Sequence, residues 1–214
     1  MLIMSMYMFV RIFVTAVFAL VAFFVFWKKI KKLKLFGYLI AISLFFAVIS
    51  FLPFENVFYK FDSPEAAYKY QTNKNPKEVI STDEFSVVMY QRNNLSVATY
   101  ISDKSGSGWK IPFVFNEQGK SIDLPYEYHN LSARVCRTFG SEKSILVIAE
   151  YFVEDTTSDL MITDSLGSEF TVTSNIYPAE EGNIIVHYVI VDSDAKDYKL
   201  FINGIKVEAV INLK

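Results

Sequence analysis

Cysteine is all but missing from this chain. Cys136 is the only one in 214 residues, which excludes an internal disulfide framework. An exported eukaryotic domain of this size is expected to carry paired cysteines, so the lack points to a bacterium that does not rely on oxidative folding. Histidine is almost as scarce. His129 follows Tyr126-Glu127-Tyr128 in a loop and His187 lies in an apolar strand; neither has metal-ligand spacing, whereas a zinc site needs three or four placed ligands. No G-x-S-x-G, S-x-x-K, H-E-x-x-H or phosphate-binding glycine loop occurs, so no catalytic residue is nominated. Acidic residues are absent from the first 54 positions, which carry six basic groups and a net charge of +6; the remainder holds 15 Lys+Arg against 23 Asp+Glu, a net of −8. An exterior of that sign argues against nucleic acid or anionic lipid as its ligand, since both need a positive field.

What is abundant is apolar sequence at the N-terminus. Two runs, Tyr7 to Trp27 with Arg11 as its one charge and Phe36 to Phe54 with none, are each long enough to cross the roughly 30 Å of bilayer hydrocarbon as a helix. The expected architecture is a two-helix transmembrane hairpin over residues 1–54, with helices at 7–27 and 36–54 and a basic loop at 28–35. Lys28, Lys29, Lys31, Lys32 and Lys34 place that loop in the cytoplasm by the positive-inside rule and both termini outside. A cleaved signal peptide is the competing account, but no basic segment precedes Leu2, no A-x-A site follows Pro53, and Cys136 is too late for a lipobox. Arg11, Thr15, Ala19 and Ala22 share one face of the first helix, and Ser43, Ala47 and Ser50 one face of the second. Such stripes let helices approach in lipid. Folding about the loop brings Arg11 opposite Leu52 and within a turn of Glu55, which suggests that Glu55 neutralises it; an arginine snorkelling alone to the headgroups is the alternative.

Beyond the membrane the reading is of a short helix plus a three-strand meander over 55–118, then an immunoglobulin-like β-sandwich over 119–214. Ser63 reads as an N-cap with Pro64 at the first helical position and Glu65 in the first turn. Period-2 alternation marks strands at Phe85 to Met89, Leu95 to Ile101 and Trp109 to Phe115. Ile145 to Val153 and Ile184 to Val191 are nearly continuous apolar runs, as expected of strands covered on both faces. Hairpins are expected at Leu160 to Thr173, turning on Asp164-Ser165-Leu166-Gly167, and at Tyr198 to Leu213, turning on Asn203-Gly204. Seven or so short strands fit the sandwich class, although its Cys…Trp…Cys signature is absent.

Ser63-Pro64-Glu65-Ala66-Ala67-Tyr68 soon after a membrane segment, with a meander ending in Gly108-Trp109-Lys110-Ile111-Pro112, resembles a loose group of membrane-anchored extracytoplasmic proteins of Gram-positive bacteria. The resemblance covers about residues 60–115 and implies the outer face of a plasma membrane; it brings no catalytic or ligand-binding role.

Candidate chemistry is sparse. Asp192, Asp194 and Asp197 place three carboxylates in one loop, a candidate calcium site or an ordinary acidic turn. Cys136 shares a strand face with Arg134, which would lower a reactive thiol's pKa; a structural thiol is the simpler reading. Glu150 and Glu154 flank an apolar stretch, where they read as a strand end in solvent rather than as a glycosidase pair. Tyr68, Tyr70, Trp109, Tyr126 and Tyr128 are candidates for an exposed aromatic binding surface, against half-buried strand tyrosines. The expected function is a membrane-anchored extracytoplasmic binding or assembly module without cofactor, partnered by the bilayer and another envelope protein. The alternatives are a subunit or regulator of a transport or signalling complex acting through the helix pair, and a cell-envelope hydrolase.

Overall fold

The chain folds as a mixed α+β protein with mostly antiparallel sheets and an apolar N-terminal helix. The computed structural model describes residues 5–26, 32–93, 96–112, 119–125, 127, 130–152, 160–173, 177–179, 182–209 and 211–213. The chain divides into two compact units, Met1–Asn75 with Ser105–Phe115 and Pro76–Lys104 with Asn116–Lys214. The boundary expected at 118/119 is therefore not where the units part.

The first unit is built on helices. α1 (Met6–Phe26) is long and apolar enough to cross a membrane by length and composition. α2 (Lys32–Phe51) starts four residues before the expected 36 and stops three before 54, leaving the shorter apolar stretch Gly37–Phe51. Lysine propagates helix well, which moves the start earlier, and Pro53 disfavours helical backbone at Leu52, which moves the stop. The two helices run in opposite directions: the Tyr7 hydroxyl donates to the Ser50 carbonyl at 2.9 Å, the Phe18 and Phe45 rings stack at 4.0 Å, and the Tyr38 hydroxyl donates to the Ala19 carbonyl. On α2 the contact is made by large side chains such as Tyr38, Phe45 and the buried Ile49, while Ser43 is exposed, so the expected small-residue stripe does not form that helix's contact face.

After the four-residue α3 (Glu55–Phe58) comes α4 (Pro64–Thr72), whose Ser63 cap accepts the Ala66 amide at 3.2 Å with Pro64 at the first position. β4 (Gly108–Trp109) returns to this unit and forms a two-bond antiparallel bridge with Phe61. A Cβ on Gly108 would stand 2.7 Å from the Lys60 Cβ and 3.1 Å from the Phe61 carbonyl, so only glycine fits that approach. The strand expected through Phe115 is short: the Asn56 side chain takes both the amide and the carbonyl of Ile111, at 2.9 and 2.8 Å, where a neighbouring strand would have bonded. Residues 113–115 lie outside the described residues. Tyr7, Phe61, Ala67, Trp109 and Ile111 form this unit's core.

The second unit is β-rich. β1 (Glu78–Ser81), β2 (Phe85–Asn93) and β3 (Ser96–Ser105) lie side by side in that order. The next sheet takes β5 (Lys120–Ile122), β6 (Leu131–Cys136), β7 (Lys143–Phe152), β10 (Tyr177–Ala179) and β11 (Gly182–Asp192) in the order β10-β11-β7-β6-β5, with β9 (Thr171–Val172) also on β11. A third small sheet has β8 (Ile162–Asp164), β12 (Leu200–Ile202) and β13 (Ile205–Lys206) in the order β13-β12-β8.

The central pair β7 and β11 is covered on both faces. Ile145, Val147, Ala149, Ile184 and Val186 pack with Phe85, Val87 and Met89, while Leu146, Ile148, Val189 and Val191 pack with Ile162, Leu200 and Ile202. Three layers of sheet thus enclose two cores, and the continuous apolar runs follow from that burial. The expected Leu160–Thr173 hairpin is not one. Its turn is present, with Gly167 N–H on the Asp164 carbonyl at 3.3 Å, but its arms join different sheets, β8 pairing with β12 and β9 with β11. The Asn203-Gly204 hairpin does form, both residues taking positive φ of 51° and 79° between Ile202 and its partner Ile205.

Candidate functional site

An arginine in the middle of an apolar stripe dictates the chemistry of the first unit. Four residues apart on one face of α1, Tyr7 and Arg11 point the same way, and Arg11 is fully buried. An unpaired buried cation is costly, so its protons must find acceptors. They do: one terminal nitrogen donates to Glu55 Oε1 and to the Tyr7 carbonyl at 3.3 Å, the other to Glu55 Oε2 at 3.0 Å and the Leu52 carbonyl at 2.9 Å. The pairing is bidentate, the geometry that suits a guanidinium. The guanidinium carbon lies 3.2 Å from the Tyr7 ring centroid and 4.9 Å from that of Phe54, adding cation–π contact.

Glu55 has a further partner, which ties in α4. The Tyr70 hydroxyl on α4 donates to Glu55 Oε1 at 2.8 Å, and its ring meets Tyr7 edge-on at 6.2 Å. Burial, then the bond and the negative charge of Glu55, push the Tyr70 hydroxyl well above the ordinary tyrosine range. Three helices of one unit, α1, α3 and α4, and Leu52 just past the end of α2 thus converge on one ion pair. Among the described residues Arg11 Nε and Thr15 Oγ1 are buried with no hydrogen-bond partner. The cluster neutralises charge and clamps; it presents no nucleophile with an adjacent base.

The other residues singled out by sequence are dispersed. Ala19 lends its carbonyl to Tyr38, Ala22 and Ala47 are half-buried, and the Ser50 hydroxyl bonds back to Phe46 at 2.7 Å. Lys28, Lys29 and Lys31 lie outside the described residues, and Lys32 and Lys34 fall in the first turn of α2. Among the described residues the aromatic set offers no exposed surface: Tyr68 and Trp109 are buried and Tyr70 is committed to Glu55, while Tyr126 and Tyr128 lie outside the described residues. Rings of that size serve the small core of this unit rather than a ligand.

The calcium loop fails as well. Lys143 Nζ sits 2.5 Å from Asp192, and among the described residues no three His, Cys, Asp or Glu side chains converge as a metal site. Asp194 and Asp197 line a shallow groove of about 490 Å³ with Lys196, Ala209 and Ile211. Cys136 is fully buried in the core beside Ile145, a structural thiol. Glu150 is buried, not in solvent, and stands 3.4 Å from His187 Nε2 on the adjacent strand; Glu154 and His129 lie outside the described residues.

Sequence reasoning missed the part of Tyr70 in the ion-pair cluster and a buried bond from the Tyr198 hydroxyl to Asp164 Oδ2 at 3.0 Å. The spacing of Tyr7 from Arg11 was the available signal for the first. Nothing local marks the second, since 34 residues separate the partners. No family model, curated protein or solved structure matches the chain.

Proposed function

We propose that this protein is a membrane-anchored extracytoplasmic binding or assembly module whose N-terminal helix is retained. One observation carries the reading: α1 supplies Tyr7 and Arg11 to the same small core and ion pair as Glu55, Phe61, Tyr70 and Trp109. A signal peptide is discarded after export, so the mature protein would be left with an uncompensated Glu55 and a hole where Tyr7 stood. An anchor that completes the fold of the segment outside it has reason to stay.

In this reading α1 and α2 form a transmembrane hairpin of about 30 Å, with Lys28, Lys29, Lys31, Lys32 and Lys34 in the cytosol and the β-rich unit outside. The placement agrees with the resemblance to Gram-positive envelope proteins. The three layers of sheet, one more than an immunoglobulin-like sandwich has, serve as a rigid scaffold for recognising another envelope component through an edge or surface.

Two measurements on the full chain in its native membrane test this. The mass of the purified protein should include residues 1–54, and a protease added to intact cells should cut the β-rich part while sparing the lysine bend. Loss of the first 54 residues, or cleavage at the bend alone, would overturn the proposal.

A further inference from the structure

The turn that joins the apolar helices to the soluble part of the first unit has its polarity reversed. In α3, Glu55 is held by Arg11 and Tyr70, and both polar atoms of the Asn56 side chain are taken up by Ile111. The polar half of this turn therefore faces protein. The apolar half faces outward: Val57 is 77%, Phe58 85% and Tyr59 55% exposed. Water would favour the opposite arrangement, because exposed aromatic surface is what it rejects.

The patch follows closely on the exposed apolar end of α2, where Val48 and Phe51, and Leu52 just beyond the helix, are also exposed. Its level is set by contacts already described. Arg11 bonds the Leu52 carbonyl and Tyr7 bonds the Ser50 carbonyl, so α3 starts within one turn of the outer end of both apolar helices. Aromatic side chains at that level partition into the headgroup boundary, with lysine just beyond; Lys60 follows Tyr59 and is exposed.

We propose that Val57, Phe58 and Tyr59 are an interfacial lip, seated in the headgroup–acyl boundary of the outer leaflet. The occupant of this surface is lipid. The ion pair of Arg11 with Glu55 positions the lip, and the lip holds the start of the soluble part against the membrane. This inference rests on the membrane-anchor reading.

Because the native Cys136 is fully buried, single cysteines can be labelled selectively in the full chain. Phe58→Cys and Val57→Cys, with Phe13→Cys as an anchor control and Phe139→Cys as a solvent control, would carry an environment-sensitive fluorophore after reconstitution into phosphatidylcholine vesicles. Quenching by spin labels placed near the headgroup or deep in the acyl chain is then compared with quenching by aqueous iodide. The expected result is strong shallow-label quenching at 57 and 58, deep-label quenching at 13, and iodide quenching alone at 139. Iodide quenching at 57 and 58 with deep-label quenching at 13 overturns the lip while leaving the anchor in place. Iodide quenching at 13 as well overturns the anchor reading itself. Exposure at 57 and 58 in vesicles but protection in native membranes assigns the surface to a protein partner and also overturns the lip.

Discussion

Arg11 concentrates more of the physics than any other residue. Its charge, fully buried, is balanced by one carboxylate that is shared with Tyr70. Removing one partner of a buried pair leaves the other uncompensated, a loss of about 3–5 kcal/mol, whereas replacing both by apolar groups is far milder. Arg11→Leu and Glu55→Leu should therefore each lower the thermal stability of the reconstituted chain, and the double variant should recover much of the loss. Additive effects in that cycle would show the two to be uncoupled. The Asp164 carboxylate has a comparable place in the β-rich unit. Burial alone would raise its pKa, but bonds from Ser168, Tyr198 and Leu166 outweigh that and hold it below the ordinary value of 3.8. Its contribution is thus present above about pH 4 and lost as pH falls through the depressed folded value. Tyr198, pushed far above 10 by burial and by Asp164, runs the other way: its share is full below pH 10 and lost as pH rises further. Asp164→Asn keeps an acceptor for the turn amides but meets the Tyr198 hydroxyl with an NH₂ group, so it should cost about 1–3 kcal/mol. It should also flatten the acid limb of a stability–pH curve measured by chemical denaturation.

Among the elements, short ones with explicit caps or turns carry their own instructions. Ser63 and Pro64 start α4 by satisfying an orphan amide and pre-setting the backbone, so Ser63→Ala should cost about 0.5–2 kcal/mol, read as faster hydrogen exchange of the first-turn amides of α4. In the β12–β13 hairpin Gly204 has φ of 79°, a conformation that penalises any side chain by about 1–2 kcal/mol. Gly204→Ala should cost about that much unfolding free energy in urea denaturation while leaving the far-ultraviolet spectrum unchanged. The turn at Asp164 to Gly167 was equally plain in sequence, yet its arms part to different sheets. A turn fixes direction over four residues; which sheet each arm joins depends on partners such as Leu200 and His187, far away along the chain.

For the whole β-rich unit the deciding feature is the layering. Ile145 and Leu146 are adjacent, point to opposite faces of β7, and are both fully buried. Ile145→Ala and Leu146→Ala should therefore each cost about 2–5 kcal/mol in urea unfolding of the full chain. A two-layer sheet with one wet face would lose that much at only one of them. Composition, the charge change after residue 54, the two apolar runs and the capped start of α4 were all legible, because each rests on local chemistry or on a period of 2 or 3.6. The nearness of Arg11 to Glu55 could also be counted from the loop, since two apolar segments joined by a short basic bend have one simple way to fold. What sequence alone determined is therefore the kind of element most stretches become and where the apolar runs lie. Only tertiary structure decided that Tyr68 and Trp109 fill a core rather than a surface, that Asp192 lies against Lys143, and that Phe85, Val87 and Met89 close a core with β7 and β11. The reason is that side-chain burial is set by which segments meet, and contacts across tens of residues leave no periodic trace in either partner.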